Sequence, residues 1–431
     1  MARYRLLTLV TIAWASGVPR GVPSPVASAG RGAFEARTVD SVVMTVHSEP
    51  LDPPATRDSG SATGRAIAWI GWPPVVVTLV ALAILVWLGR DMTFYHDDYA
   101  LLLLRDLSLP GLFAPHNEHL IATLVLLYRT LIATVGTASY WPYLGVTFAL
   151  HVVVAAIVYV VVRRETTAAW ALGAMAVMLL LGSGGDDILW AFQSGVVGAT
   201  AAGMAAVVVA PRRPALAAIL LTVGLATSGA ALAFLVGTAV HLALTRPRAL
   251  VWLALPVGLY LAWYVTFGAT RMVALRSPSF DGVPEYVLAG LVATAAGAVG
   301  SAVPAIGSIA LLAFALGIGW TRGLPPTALA LLVSSVAFFV IAGLVRAQLG
   351  AEQAAASRYV YIAAPGLLVA GAILLARIRR PWRDVIGVAV LTIALVGNIV
   401  LLVDSHDRLV SKIECERSMT PVARGSAGNP C

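Results

Sequence analysis

The chain has 431 residues, 59% of them hydrophobic and only 12% charged, with a formal net charge of +8. Soluble domains are roughly 45–50% apolar and about 25% charged, so an ordinary water-soluble globule, a disordered chain and a coiled coil are all excluded. In so apolar a chain the positive balance reports loop topology, because basic residues collect on cytoplasmic loops; no nucleic-acid partner is expected. Two cysteines are too few for a disulfide framework or a Cys-based metal site.

Residues 1–65 differ from the rest. Arg3 and Arg5 followed by an apolar run to Ala15 imitate a signal peptide, and residues 17–65 lack apolar periodicity and read as a disordered tail. Met44 is a credible start, which makes 1–43 an upstream extension or an unstructured tail.

From Ala66 to Asp404 the chain reads as one transmembrane domain. A bilayer span needs about 20 largely apolar residues, and suitable runs fall near 67–88, 141–162, 167–182, 195–210, 214–228, 230–244, 249–267, 304–320, 325–345, 359–376 and 385–403. The runs are continuous and not alternating, which excludes a transmembrane barrel. Two more apolar stretches, 119–136 and 285–302, are ambiguous. The first carries Arg129 in mid-segment, and an arginine at the bilayer centre costs at least ~2.5 kcal/mol. The second is rich in Gly and Ala and closely precedes Pro304.

Charge parity decides between span and surface helix. If both stretches lie on the surface, Arg163/Arg164, Arg212/Arg213, Arg246/Arg248, Arg322 and Arg377/Arg379/Arg380/Arg383 share one side. Asp97/Asp98, Glu118, Asp186/Asp187, Asp281, Glu352 and Asp404 then share the other. The expected fold is therefore all-α and polytopic, with about eleven transmembrane helices and two interfacial helices on the outer face. The N-terminus is expected inside, and residues 405–431 form a short extracytoplasmic tail. Cys415 and Cys431 fall in that tail, on the oxidising side, where a bridge between them would persist.

The densest polar constellation is the first outer loop, from Asp91 through His96-Asp97-Asp98-Tyr99 to Pro115-His-Asn-Glu-His119. Adjacent carboxylates at a membrane surface can serve as a general base or help to hold a divalent cation, with Asp97 and Glu118 the candidate ligands. The alternative is a solvated loop at the end of a span.

At these residues the sequence resembles the GT-C superfamily of membrane glycosyltransferases, including the protein mannosyltransferase and aminoarabinose transferase families. The matching features are Asp97-Asp98 after the first span, Pro115-His-Asn-Glu-His119 opening a surface helix, Gly182-Ser-Gly-Gly-Asp-Asp-Ile-Leu-Trp-Ala-Phe-Gln193 and Arg358-Tyr-Val-Tyr361. The resemblance covers Ala66 to about Asp404, although the large soluble outer domain of some GT-C families is missing. It implies a sugar donor linked to polyprenyl phosphate, a lipid-bilayer setting in the cell envelope, and transfer on the extracytoplasmic face.

Transfer from a lipid phosphate needs a base for the acceptor hydroxyl and cations for the departing phosphate. Asp97 and Asp98 are the candidate catalytic residues, with Asp98 preferred as base. Arg346 and Arg358 suit the phosphate because the guanidinium fork pairs bidentately with its oxygens; headgroup anchoring or pairing with Glu352 is the plainer alternative. Arg271 and Arg276 offer the same chemistry. His116, Glu118, His119, Asp186, Asp187 and Gln193 complete the candidate substrate-binding set. For Asp186 and Asp187 an N-cap of the following helix is an equal reading, and that helix would put Trp190 and Gln193 one turn apart. His151, inside a span, reads as a packing residue. There is no P-loop, no zincin motif and no nucleophile elbow. A transporter or lipid flippase, and an inactive protein on the same fold, are the alternatives; nearly all charges sit at span ends, which disfavours transport.

Overall fold

The computed structural model describes residues 71–269, 280–321, 323–379 and 381–418. The expected tail 1–65, Arg271, Arg276, Arg322, Arg380 and Cys431 lie outside these residues.

The described chain is entirely helical apart from its connections. Its main helices are α1 (Trp72–Gly89), α2 (Ala122–Val135), α3 (Trp141–Glu165), α4 (Ala168–Leu179), α5 (Ser194–Val209), α6 (Pro214–Thr227) and α7 (Ala231–Thr245). They continue as α8 (Pro247–Gly268), α9 (Val283–Ala298), α10 (Pro304–Trp320), α11 (Pro326–Arg346), α12 (Ser357–Ala376) and α13 (Trp382–Ser418). Among the described residues eight helices are long and apolar enough to cross a membrane, and the shorter apolar ones are α2, α6, α7, α9 and α10. The protein is an all-α polytopic membrane protein. Every apolar run read from the sequence, the two ambiguous ones included, corresponds to a helix.

Proline sets many of the starts. It occupies the first turn of α1, α3, α6, α9, α10 and α11, where its fixed φ suits the helix and its missing N–H is not needed. The helix α12 is central, with 72% of its apolar window buried, against 28% for α1 and 22% for α13. Lipid tails give no hydrophobic drive for helices to associate, so close packing at small residues carries the bundle. At Gly237 of α7 an added Cβ would lie 2.5 Å from the Ala330 carbonyl oxygen of α11, and at Gly290 of α9 it would lie 2.2 Å from the Phe339 ring.

Several polar groups inside the bundle are paired, although Thr238 Oγ1, Ser194 Oγ and the Tyr286 and Tyr359 hydroxyls are buried without a hydrogen-bond partner among the described residues. His151 contacts the Tyr361 hydroxyl at 2.8 Å and the Leu179 carbonyl at 3.1 Å. A carbonyl only accepts, so Nε2 carries the proton and Tyr361 donates to Nδ1. His241 contacts the Val207 carbonyl at 2.7 Å. Asn398 accepts from the Gly182 N–H at 2.9 Å and donates to the Gly297 carbonyl at 3.0 Å.

One boundary differs from expectation. α13 does not end near Asp404 but continues to Ser418, so the first part of the expected C-terminal tail is helix. Ser405, Leu409 and Ile413 recur every fourth position and are buried, which is the helical period. Cys415 in this segment is disulfide-bonded.

Candidate functional site

The loop between α1 and α2 is shaped by its own polar groups. Arg105 donates to the carbonyls of Gly111, Ala114 and Pro115 at 3.2, 2.8 and 3.1 Å, which delivers the chain to a tight hairpin. There His116 and His119 exchange backbone hydrogen bonds of 3.0 and 2.9 Å. Asn117 and Glu118 between them have φ of 46° and 69°, positive at both central positions of a two-residue turn. Asn tolerates that conformation well; Glu rarely adopts it, and such strain tends to collect at functional sites.

Asp97 and Asp98 share a single helical turn, Asp97–Tyr99, and face different surroundings. The Asp97 carboxylate lies 3.3 Å from His116 Nε2 and 3.9 Å from His96 Nε2, and accepts from Asn117 Nδ2 at 3.4 Å. Burial alone would push its pKa up, but His116, then His96 and Arg358, outweigh burial and hold it below the usual carboxylate range. Asp98 is fully buried. It accepts from the Tyr128 and Tyr140 hydroxyls, from the Trp190 indole N–H at 3.0 Å and from the Tyr95 backbone N–H at 3.1 Å. Burial outweighs these bonds and raises its pKa to about 6. Asp97 therefore lines the cavity, whereas Asp98, the aspartate expected as base, does not and is enclosed by four hydrogen-bond donors.

The cavity that Asp97 faces has a volume of about 910 Å³ and is also lined by His116, Glu118, His119, Gln193, Arg346 and Arg358. His119 packs onto Gly229, where an added Cβ would lie 2.6 Å from Nδ1. Burial, with Arg346, Arg358 and His116 adding to it, depresses the His119 pKa to about 4, so the ring is neutral at physiological pH. Arg346 ends α11 and pairs with Glu118 at 3.7 Å. Arg358, in the first turn of α12, lies over the Tyr359 ring at 5.2 Å and has no carboxylate within ion-pair distance among the described residues. Glu352 is not its partner. The rest of the lining is largely apolar and includes Leu124, Val196, Leu232 and Ile341 together with Phe338, Tyr260 and Tyr264.

Asp186 and Asp187 lie apart from this space. They occupy the first turn of Gly185–Leu189, which has no side-chain cap, so the N-cap reading gives way to an acidic first turn favoured by the helix dipole. Asp187 is fully buried and accepts from Ser357 Oγ at 3.4 Å. Asp186 stands 3.9 Å from Arg408 of α13. The same helix reaches the first loop, where His406 lies 3.3 Å from Asp91 and Glu416 accepts from the His96 N–H at 3.1 Å. The expected continuous helix through Gln193 is broken, because Trp190 is extended (φ −119°, ψ 120°). Among the described residues no three His, Cys, Asp or Glu side chains converge as a metal site; Asp97 turns to His116 and Glu118 to Arg346.

Sequence reasoning missed Tyr128, Tyr140 and the α6–α7 turn at Ser228-Gly229. Nothing in the linear pattern marks them. Trp190 was visible only as an interfacial tryptophan. Comparisons with protein-family models, curated proteins and solved structures find no match to this chain.

Proposed function

We propose that the protein is an integral membrane glycosyltransferase of GT-C type, moving a sugar from a polyprenyl-phosphate donor to an acceptor on the extracytoplasmic face. The observation that carries this reading is the content of one cavity: a carboxylate held below its usual pKa, an arginine with no carboxylate within ion-pair distance among the described residues, and aliphatic lining that suits a lipid chain. In the reaction Asp97 takes the proton of the acceptor hydroxyl as its oxygen attacks the anomeric carbon. The bond from that carbon to the phosphate oxygen breaks, and polyprenyl phosphate leaves carrying the electron pair. Arg358, with Arg346 beside it, offsets the charge that develops on the phosphate. On this reading α2 and α9 are interfacial helices, the N-terminus is cytoplasmic, and the part of α13 beyond Asp404 is extracytoplasmic.

The purified full chain in lipid nanodiscs, supplied with a panel of radiolabelled hexosyl and pentosyl polyprenyl monophosphates and with hydroxyl-bearing lipid, glycan and peptide acceptors, is expected to release free polyprenyl phosphate and label an acceptor from at least one donor. The Asp97→Asn variant should not. Release at the same rate by both proteins, or by neither across the panel, would reject the assignment.

A further inference from the structure

Five aromatic side chains stand in unbroken contact on the cavity wall, with successive rings tilted by 33° to 56° so that they form a curved surface. Ring centroids lie 5.6 Å apart for Tyr95–His96, 5.3 Å for Tyr95–Trp190, 6.2 Å for His96–Trp190, 5.4 Å for Trp190–Phe192 and 5.4 Å for Phe192–His116. All five line the cavity, and His96 and His116 are the two rings beside Asp97. The shelf is also fixed from behind. The same buried Asp98 oxygen accepts from the Trp190 indole N–H and from the Tyr95 backbone N–H, so one carboxylate sets two adjoining rings.

The extended residue Trp190 and the short turn Ala191–Gln193 turn these rings toward the cavity. A continuous helix would place Trp190 and Phe192 about 200° apart around its axis. The lining thus holds a contiguous five-ring cluster beside aliphatic residues such as Leu124, Val196, Leu232 and Ile341. A prenyl chain is satisfied by the aliphatic residues. A pyranose ring carries an apolar face of C–H groups and a rim of hydroxyls, and a broad aromatic face covers the first without competing for the second.

We infer that the shelf Tyr95–His96–Trp190–Phe192–His116 is the subsite for the sugar ring of the donor, and that Asp98 serves as its anchor. This rests on the glycosyltransferase reading and names where in the cavity the sugar goes. The ring stacked there has its anomeric carbon between Asp97 and the arginines.

Phe192 tests this, because its side chain makes no hydrogen bond and its loss spares the Asp98 network. Binding to the full chain in nanodiscs is measured for bare polyprenyl monophosphate and for the same panel of hexosyl and pentosyl monophosphates. In the unaltered protein the best sugar-bearing lipid should bind about tenfold more tightly than the bare lipid phosphate. Phe192→Ala and the better-filling Phe192→Leu should both abolish that difference while the affinity for bare lipid phosphate holds. Sugar-bearing lipids that bind no better than bare phosphate in the unaltered protein overturn the shelf and leave the transferase reading standing. Equal weakening of both ligands, or full retention of the difference by Phe192→Leu, also overturns it. Failure of the unaltered protein to bind any polyprenyl phosphate removes both readings together.

Discussion

Arg346 and Glu118 face each other at 3.7 Å across the cavity mouth, one at the end of α11 and the other at the tip of the strained hairpin. The pair is partly exposed, and such pairs contribute roughly 0.2–1 kcal/mol. A phosphate binding beside Arg346 must share it with Glu118. Glu118→Gln should therefore tighten binding of polyprenyl monophosphate by up to about fivefold, and Arg346→Gln should weaken it. Titration of each variant in nanodiscs reads the change directly, and weakening in Glu118→Gln would contradict the competition.

The two neighbouring aspartates should separate in their effects. Asp97→Asn keeps size and removes the proposed base, so turnover should fall about 10²–10⁴-fold with folding intact. Asp98→Asn leaves four donors facing a group that is itself half donor, which costs about 1–3 kcal/mol of stability while the reacting carboxylate stays in place. Thermal unfolding in detergent and single-turnover kinetics, measured on both variants, distinguish the two roles.

Two groups beside the cavity contribute to the pH dependence of stability with opposite signs. His119 has a folded pKa of about 4 against an ordinary 6.5. From pH 6.5 down to 4 the unfolded chain therefore binds a proton that the folded chain does not, and acidification destabilises. Asp98 has a folded pKa of about 6 against an ordinary 3.8. From pH 6 down to 4 the folded chain holds the extra proton, and acidification stabilises. The two largely cancel in the unaltered protein. Asp98→Asn removes only the stabilising contribution, so between pH 6 and 4 its stability should fall with a slope of up to about 1.4 kcal/mol per pH unit relative to the unaltered protein. Parallel melting curves across that range would show it.

The seat of α13 should tolerate no added methyl. At Gly182 a Cβ would lie 2.1 Å from the Asn398 carbonyl oxygen and 2.4 Å from the Leu402 nitrogen, both backbone atoms. Gly182→Ala should cost at least about 1–3 kcal/mol and raise hydrogen exchange in residues 398–416. Gly145, exposed in α3 with nothing within 4 Å of its added Cβ, is the control: Gly145→Ala should stabilise by about 0.4–1 kcal/mol.

Most helices were legible because each is an uninterrupted apolar run; α2, with Arg129 inside it, and the charged end of α13 are the exceptions. The first loop stood out because Asp97, His116 and Glu118 are polar residues in a chain that has few. Which aspartate faces the cavity was not legible. The expectation that neighbouring side chains point oppositely holds for extended backbone, whereas Asp97 and Asp98 lie on a helical turn, and their environments are set by Tyr128, Tyr140 and Trp190, 30 to 92 positions away. The extension of α13 past Asp404 escaped notice because a polar run ends a span by composition. The stripe Ser405, Leu409, Ile413 was the available signal.

The dependence of the loop on α13 also has a temporal side. Residues 382–418 are synthesised after every element they touch, among them α1, α4, α9, α12, the turn at Gly182 and the segment bearing Asp91 and His96. Until Glu416 has left the ribosome the His96 amide lacks its acceptor, and until Asn398 has inserted the Gly182 amide lacks its own. A nascent chain stalled before α13 would hold most of its helices in the bilayer with every cavity-lining residue already made but the backbone at His96 and Gly182 unsupported, so the first loop takes its final form only when synthesis is nearly done.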